Sequence, residues 1–336
     1  MAEQIVSPGV FTRENDQSFI TQQPVEVGAA IVGPAVKGPV EIPTLVTSYS
    51  EYVNKFGSTF VSGGQSYSFL TGNSAYNYFQ NGGNTLLVTR VTNGTFTSAT
   101  ASIANTTAQA FKLKTISEGT IMNSDGTLGS DGQLSTGTED NVRWEISFAD
   151  SGSGTFNLLI RQGNDITNDK IVLETYAGVS LDPFQDNYIA KVIGDQNQTL
   201  VSDADGNKYL EITGSYANKS NYVFVDEVLT PTPNFFNNTG SAASTAFKEA
   251  IPTVGSGSFG IATGDLLGQA PALYNEKIDT NTQGLVAADY SDAFSLLTNN
   301  DEYQYNAITA PGLIHGVSAH TGVLNTLISN TQNRGD

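Results

Sequence analysis

The chain contains no cysteine among its 336 residues. That excludes every disulfide framework and every thiolate metal site, and it suits assembly in a reducing compartment. Basic residues are scarce, with 15 Lys and Arg against 33 Asp and Glu for a formal charge of −18. So acidic a surface repels a phosphate backbone and an anionic bilayer alike, so neither nucleic acid nor a membrane is expected as a partner. Histidine is nearly absent, His315 and His320 being the only two. A zinc site or catalytic imidazole would need partners that the sequence does not place beside them. No apolar run approaches the ~20 residues of a membrane helix, and MAEQIVSPGV at the N-terminus lacks the basic start and apolar middle of an export signal. No enzyme activity, metal or cofactor is expected.

What is present is length enough for two or three domains and one well-patterned stretch. Val27 to Val32 is a short apolar run closed by Gly33-Pro34, which predicts a strand. Leu45-Val46 predicts a second. Ser48 and Glu51 then form a capping box ahead of Tyr49, Tyr52, Val53 and Phe56, which share one helical face, and Gly57 ends that helix. A second helix is expected over Tyr67 to Gln80, with Phe69, Leu70, Tyr76 and Phe79 as its apolar residues and Gly82-Gly83 as its stop. Thr85 to Val91 predicts another strand. Strand, helices and strand in that order imply an α/β layer.

From Thr95 the composition turns to Thr, Ser, Asn and Gly, and short antiparallel strands are expected. Phe111, Leu113 and Thr115 alternate, as do Val142, Trp144, Ile146 and Phe148. Ser151 to Gly154 turns the chain into Phe156, Leu158 and Ile160, and Asp203 to Gly206 joins Leu200-Val201 to Tyr209-Ile212. Tyr222 to Val225 predicts a further strand. Asp182 before Pro183 is placed to cap a helix beginning near Pro183. Pro231 to Leu273 has little periodicity and reads as an exposed loop tolerant of length changes. Pattern returns with Asp289 and Asp292 at a helix start, Tyr290, Ala293, Phe294 and Leu297 on its face, a strand over Tyr303 to Thr309, and a helix carrying Val317, His320, Leu324, Leu327 and Ile328 up to Gly335. A helix there should lead into another parallel strand, so a further C-terminal portion is expected beyond Asp336.

Other motifs are weaker. Gly255 to Gly260 spells GxGxxG, but Pro252 interrupts the preceding strand and no helix follows, so a flexible loop is expected. Asp203, Asp205, Asn207 and Glu211 resemble a calcium loop with its glycine misplaced, which favours a hairpin turn. The sequons at Asn93, Asn105, Asn197 and Asn218 fit Asn/Thr-rich loops. An Asn/Thr/Gly-rich acidic β region also admits a second reading, a surface adhesin or carbohydrate-binding protein, which would want a signal peptide and repeats.

SPGV at Ser7 to Val10, VGAAIVGPAVKGP at Val27 to Pro39, TSYSEYVNKFG at Thr47 to Gly57 and AYNYFQNGGNTLLVTRV at Ala75 to Val91 together resemble the start of contractile phage tail sheath proteins. Glu174, Tyr176, Ser180, Leu181, Asp182, Pro183, Asn187 and Tyr188 are similar to a second signature of that family. The resemblance implies an α+β multidomain fold. In it an α/β layer domain is formed by residues 25–94 and 276–336, a β-rich antiparallel region is inserted at 95–275, and residues 1–24 form an extended arm. It also implies that Ser7, Pro8, Gly9, Val10, Phe11, Thr12, Arg13 and Glu14 in that arm link neighbouring subunits. The implied function is a structural subunit of the virion tail, assembled in the host cytoplasm as stacked hexameric rings around a tail tube. The implied partners are copies of itself, the tube protein, and baseplate and neck or terminator proteins.

Overall fold

A strand buried on both faces has to lie inside a sheet covered by helices on both sides. The strand β1 (Ala29–Gly33) meets that condition, since Ala30, Ile31 and Val32 are all buried. In the computed structural model, which describes residues 28–62, 65–265, 278–279 and 281–335, β1 lies between two parallel neighbours.

The chain leaves β1 for the short edge strand β2 (Thr44–Val46) and the helix α1 (Tyr49–Phe56). The cap forms as the sequence predicts: Ser48 Oγ accepts from Glu51 N at 3.1 Å, while Glu51 Oε2 turns back to Thr47 N at 2.8 Å. A hairpin of β3 (Phe60–Ser62) and β4 (Gln65–Tyr67) follows, then α2 (Leu70–Gln80) and β5 (Leu86–Arg90). Tyr67 thus belongs to a strand, and α2 begins three residues later than its pattern predicts. Its buried face is also different: Thr71, Gly72 and Ala75 are covered, whereas Leu70 and Tyr76 are exposed. Small residues let α2 lie close, with Thr71 against Gly33 and Gly72 facing the Tyr52 hydroxyl.

β5 pairs in parallel with β1, Ala29 opposite Leu86 through Gly33 opposite Arg90, and β2 runs antiparallel on its far side. One face of this sheet packs Ile31, Val46, Leu86 and Val88 against Tyr52, Phe56 and Ala75. The other packs Ala30, Val32 and Leu87 against residues from the far end of the chain.

Between these halves lies the β-rich region. Three antiparallel strands, β6 (Ser98–Ala104), β7 (Gln109–Glu118) and, arriving much later, β13 (Val223–Val228), share one sheet ordered β13-β7-β6. A second sheet is built on the hairpin of β8 (Val142–Asp150) and β9 (Thr155–Gln162), extended by β10 (Val172–Ser180). Phe111 and Phe156 stack at 5.6 Å between the two, inside a common core. A bulge between Ile146 and Phe148 turns the expected alternation over, so Ile146 is buried and Phe148 is 53% exposed. The short helix α3 (Ile189–Ile193) precedes a ribbon of β11 (Asn197–Ser202) and β12 (Lys208–Thr213). No helix starts at Pro183; Asp182 Oδ1 instead accepts from Phe184 N at 3.0 Å, closing a turn.

The expectation of a loop over Pro231 to Leu273 fails for the described part. Phe235, Ile251 and Phe259 are core residues, Thr245–Ala250 is the helix α4, and Gly255–Ser258 is the strand β14, paired with β8. Gly255 and Gly257 of GxGxxG therefore sit in a strand, and Gly260 beyond it bridges to Thr100.

After the small β15 (Asn281–Thr282) and β16 (Leu285–Val286) pair, a turn of 3-10 helix runs into α5 (Ser291–Leu296). Tyr290, Ala293, Phe294 and Leu297 are buried on one face, as their spacing predicts. The expected strand over Tyr303 to Thr309 shrinks to β17 (Ile308–Thr309), which pairs in parallel with β1. The helix α6 (Ser318–Arg334) ends at Gly335 in the left-handed conformation. The result is a mixed α and β chain of several small sheets, in which strands from residues 29–90 and 308–309 share one sheet and the stretch between them carries its own core.

Candidate functional site

The arm residues Ser7 to Glu14 lie outside the described residues. Within them, the seam between the parallel sheet and the β-rich region holds the most distinctive group of charges. Arg90 ends β5 and is 1% exposed, so its cation has to be met inside the protein. One of its terminal nitrogens donates to Gly38 O at 2.6 Å and to Glu118 O at 2.9 Å, and the guanidinium lies 5.2 Å from the centre of the Phe96 ring. Burial pushes the Arg90 guanidinium down to about 10, with Glu118 opposing the shift. Gly38 is required in its place: its φ is +109°, and an added Cβ would stand 2.6 Å from Phe56 Cδ1.

Glu118 closes the group from β7. Its Oε2 accepts from Val40 N at 3.1 Å, and burial pushes its carboxyl up to about 7. Glu41, beside it, donates its backbone N–H to Arg90 O at 2.8 Å from a left-handed φ of 60°. Its carboxyl is also raised, first by burial and then by Asp292. Further ties cross the same seam: Lys37 to Asp140 at 3.3 Å and Lys208 to Asp292 at 2.9 Å.

A cleft of about 280 Å³ opens beside Glu118, bounded by Thr44, Lys55, Gln198, Asn218 and Asn221 among others. Lys55 is held there by Glu51 at 2.9 Å and by Leu45 O at 3.3 Å. Glu118 and Lys55 are the charged groups of its lining, and the remainder is carboxamide, hydroxyl and apolar. The contacts that Arg90 and Glu118 make at the seam are to backbone groups, so the arrangement clamps backbone. The signal for it is present in LLVTRV, since an arginine in a wholly buried strand needs partners; the partners, Gly38 and Glu118, are far away in sequence.

The second signature folds into one joint. Glu174 accepts from the Tyr176 hydroxyl at 2.8 Å, Ser220 Oγ at 2.5 Å and Asn221 N at 2.8 Å. Asp182 Oδ2 accepts from Phe235 N at 3.1 Å, tying the SLDP step to the Pro231 segment. The remaining motifs are structural. His320 is buried and its Nδ1 accepts from Ile314 N at 3.1 Å, while His315 Nε2 meets Asn325 Oδ1 at 3.3 Å. Asp203 accepts from the Asp205 and Asn207 backbone amides in a hairpin turn. Among the described residues no group of three or more His, Asp or Glu side chains is placed to hold a metal ion, and no helix is long and apolar enough to cross a membrane.

No family model matches the chain, and no curated protein does. Among solved structures, it is similar to a sheath tail protein from Listeria innocua at 10% identity and a TM-score of 0.42, over 92% of this chain and 44% of that one. A sheath tail protein from Desulfitobacterium hafniense matches at 12% identity and a TM-score of 0.34, over 97% of this chain and 50% of that one. The chain spans about half the length of these neighbours.

Proposed function

We propose that the chain is a structural, non-enzymatic subunit of a contractile phage tail sheath. It polymerises as stacked hexameric rings around a tail tube and contracts to drive that tube through the host envelope. The observation that carries this reading is where the sequence signatures fall. AAIVG forms β1, PAVKGP the loop clamped at the seam, TSYSEYVNKFG the capped α1, and AYNYFQNGGNTLLVTRV the end of α2, its stop and β5. The segments of the first signature after the arm therefore meet in a single packed unit, as a shared scaffold requires, while the second signature packs in the core of the β-rich region.

On this reading residues 25–94 and 276–336 form the assembly layer, 95–275 face outward, and the arm at 1–24 joins subunits by adding a strand to a neighbour's sheet. Negative-stain microscopy of the purified full-length protein tests it. Rings or tubes are expected, and a strictly monomeric solution at high concentration would overturn the reading. Deleting Met1 to Asn15 should abolish tubes while leaving a folded monomer; long sleeves from that variant would rule out linkage by the arm.

A further inference from the structure

The loop from Gly38 to Glu41 is gripped from two sides. From β5, Arg90 donates to Gly38 O and its carbonyl accepts from Glu41 N. From β7, Glu118 N donates to Gly38 O at 3.2 Å and Glu118 Oε2 accepts from Val40 N. Because β5 belongs to the parallel sheet and β7 to the β-rich region, this loop is where the two are fastened. We propose that the Glu118 carboxyl is a proton-operated latch on that fastening, holding the β-rich region tightly against the parallel sheet while protonated and loosening it once ionised. The inference concerns the packing of the chain on itself and stands apart from the sheath reading.

A neutral carboxyl keeps an oxygen for Val40 N and is cheap to bury, whereas a carboxylate in the same place, only partly exposed toward the cleft, loses part of its water. The Val40 N–H favours the carboxylate, yet it and the other groups facing Glu118 do not make up that loss. Arg90, from β5, attracts it, but the arginine nitrogen that reaches this loop is spent on the Gly38 and Glu118 carbonyls. Glu41, from the loop, repels it. Lys55, from α1, lines the same cleft but is held by Glu51 and Leu45 O. Tyr52, also on α1, is coupled to Arg90 and carries no charge to offset the carboxylate. Glu41 in turn faces Asp292 and Asp289, with Lys208 countering them.

Burial is the largest influence on Glu118 and raises it from 4.5 to about 7. An acid raised in the closed seam holds its proton more tightly there than in the open one. Closure is therefore fully favoured below about 4.5, and the advantage is lost as pH rises through about 7.

Hydrogen exchange of the Val40 and Glu41 amides in the full chain, at about pH 5 and about pH 7.5, tests the latch. After correction for intrinsic exchange, the seam should open at least about tenfold more often at the higher pH in the wild type. Glu118→Gln keeps an oxygen for Val40 N and has no proton to lose at 118, so its opening should change far less between the two, leaving only the contribution of Glu41. The same pH ratio in both proteins would overturn the proposal. Carboxyl carbon NMR of wild-type Glu118 decides independently should the variant fail to fold: a midpoint near 7 supports the latch, and one near 4.5 overturns it.

Discussion

The indole of Trp144 lies against the backbone of Gly257 on the neighbouring strand, where an added Cβ would stand 2.7 Å from Trp144 Cζ2. The contact holds β14 to the edge of its sheet, and it exists only because position 257 has no side chain. Gly257→Ala should therefore destabilise the β-rich region by about 1–3 kcal/mol through overpacking. Trp144 is the sole tryptophan, so its fluorescence reports the site directly during urea unfolding. An unchanged midpoint would mean that the ring shifts freely.

Position 257 also marks where sequence patterns stop being informative. Alternation in β7 and β9 was legible because Phe111, Leu113, Phe156, Leu158 and Ile160 are large and all buried. The capped α1 was legible because the box of Ser48 and Glu51 is local. Gly255 to Ser258 looked like a loop because small residues signal looseness in composition, yet here they signal close approach. The same confusion hid the buried face of α2, which is Thr71, Gly72 and Ala75. Phe148 was misplaced because a bulge has no signature in the alternation it interrupts. The seam was hidden for a different reason: Arg90 is visible in its strand, but nothing local names Gly38 and Glu118 as its partners.

Asp165 has a fully buried side chain and accepts from Arg161 Nε at 2.6 Å, a terminal nitrogen of Arg161 at 2.8 Å and Ile171 N at 3.1 Å, with Arg143 at 3.4 Å. Asp165→Ala would leave two nearly buried guanidiniums facing one another, with Glu145 paired to only one of them. A loss of about 3–5 kcal/mol is expected, as for a buried pair broken on one side. Chemical denaturation measures it, and a loss under about 1 kcal/mol would mean that water reaches the arginines.

Ser48→Ala removes an acceptor from an exposed helix start without disturbing the core. The expected loss is about 1 kcal/mol, read as a lower urea midpoint with an unchanged slope. A midpoint equal to that of the wild type would mean that burial of Tyr52 and Phe56 alone holds α1 in place.

The net charge of −18 bears on assembly, because the proposed sleeve repeats it at every subunit. Repulsion between neighbouring subunits reaches over ~10 Å at 0.1 M salt and only ~3 Å at 1 M, so added salt removes a cost of close packing. The ion pairs across the seam lie within the chain, and one of them, Lys37 with Asp140, is largely shielded from solvent. Salt should therefore weaken repulsion between subunits more than it weakens the fold. Sedimentation of the purified protein across an ionic-strength series is expected to show more polymer, or more compact polymer, as salt rises. Polymer that instead dissolves steadily would mean that attractive ion pairs dominate the contacts between subunits, so that the acidic surface works in favour of assembly by meeting basic residues of a neighbour.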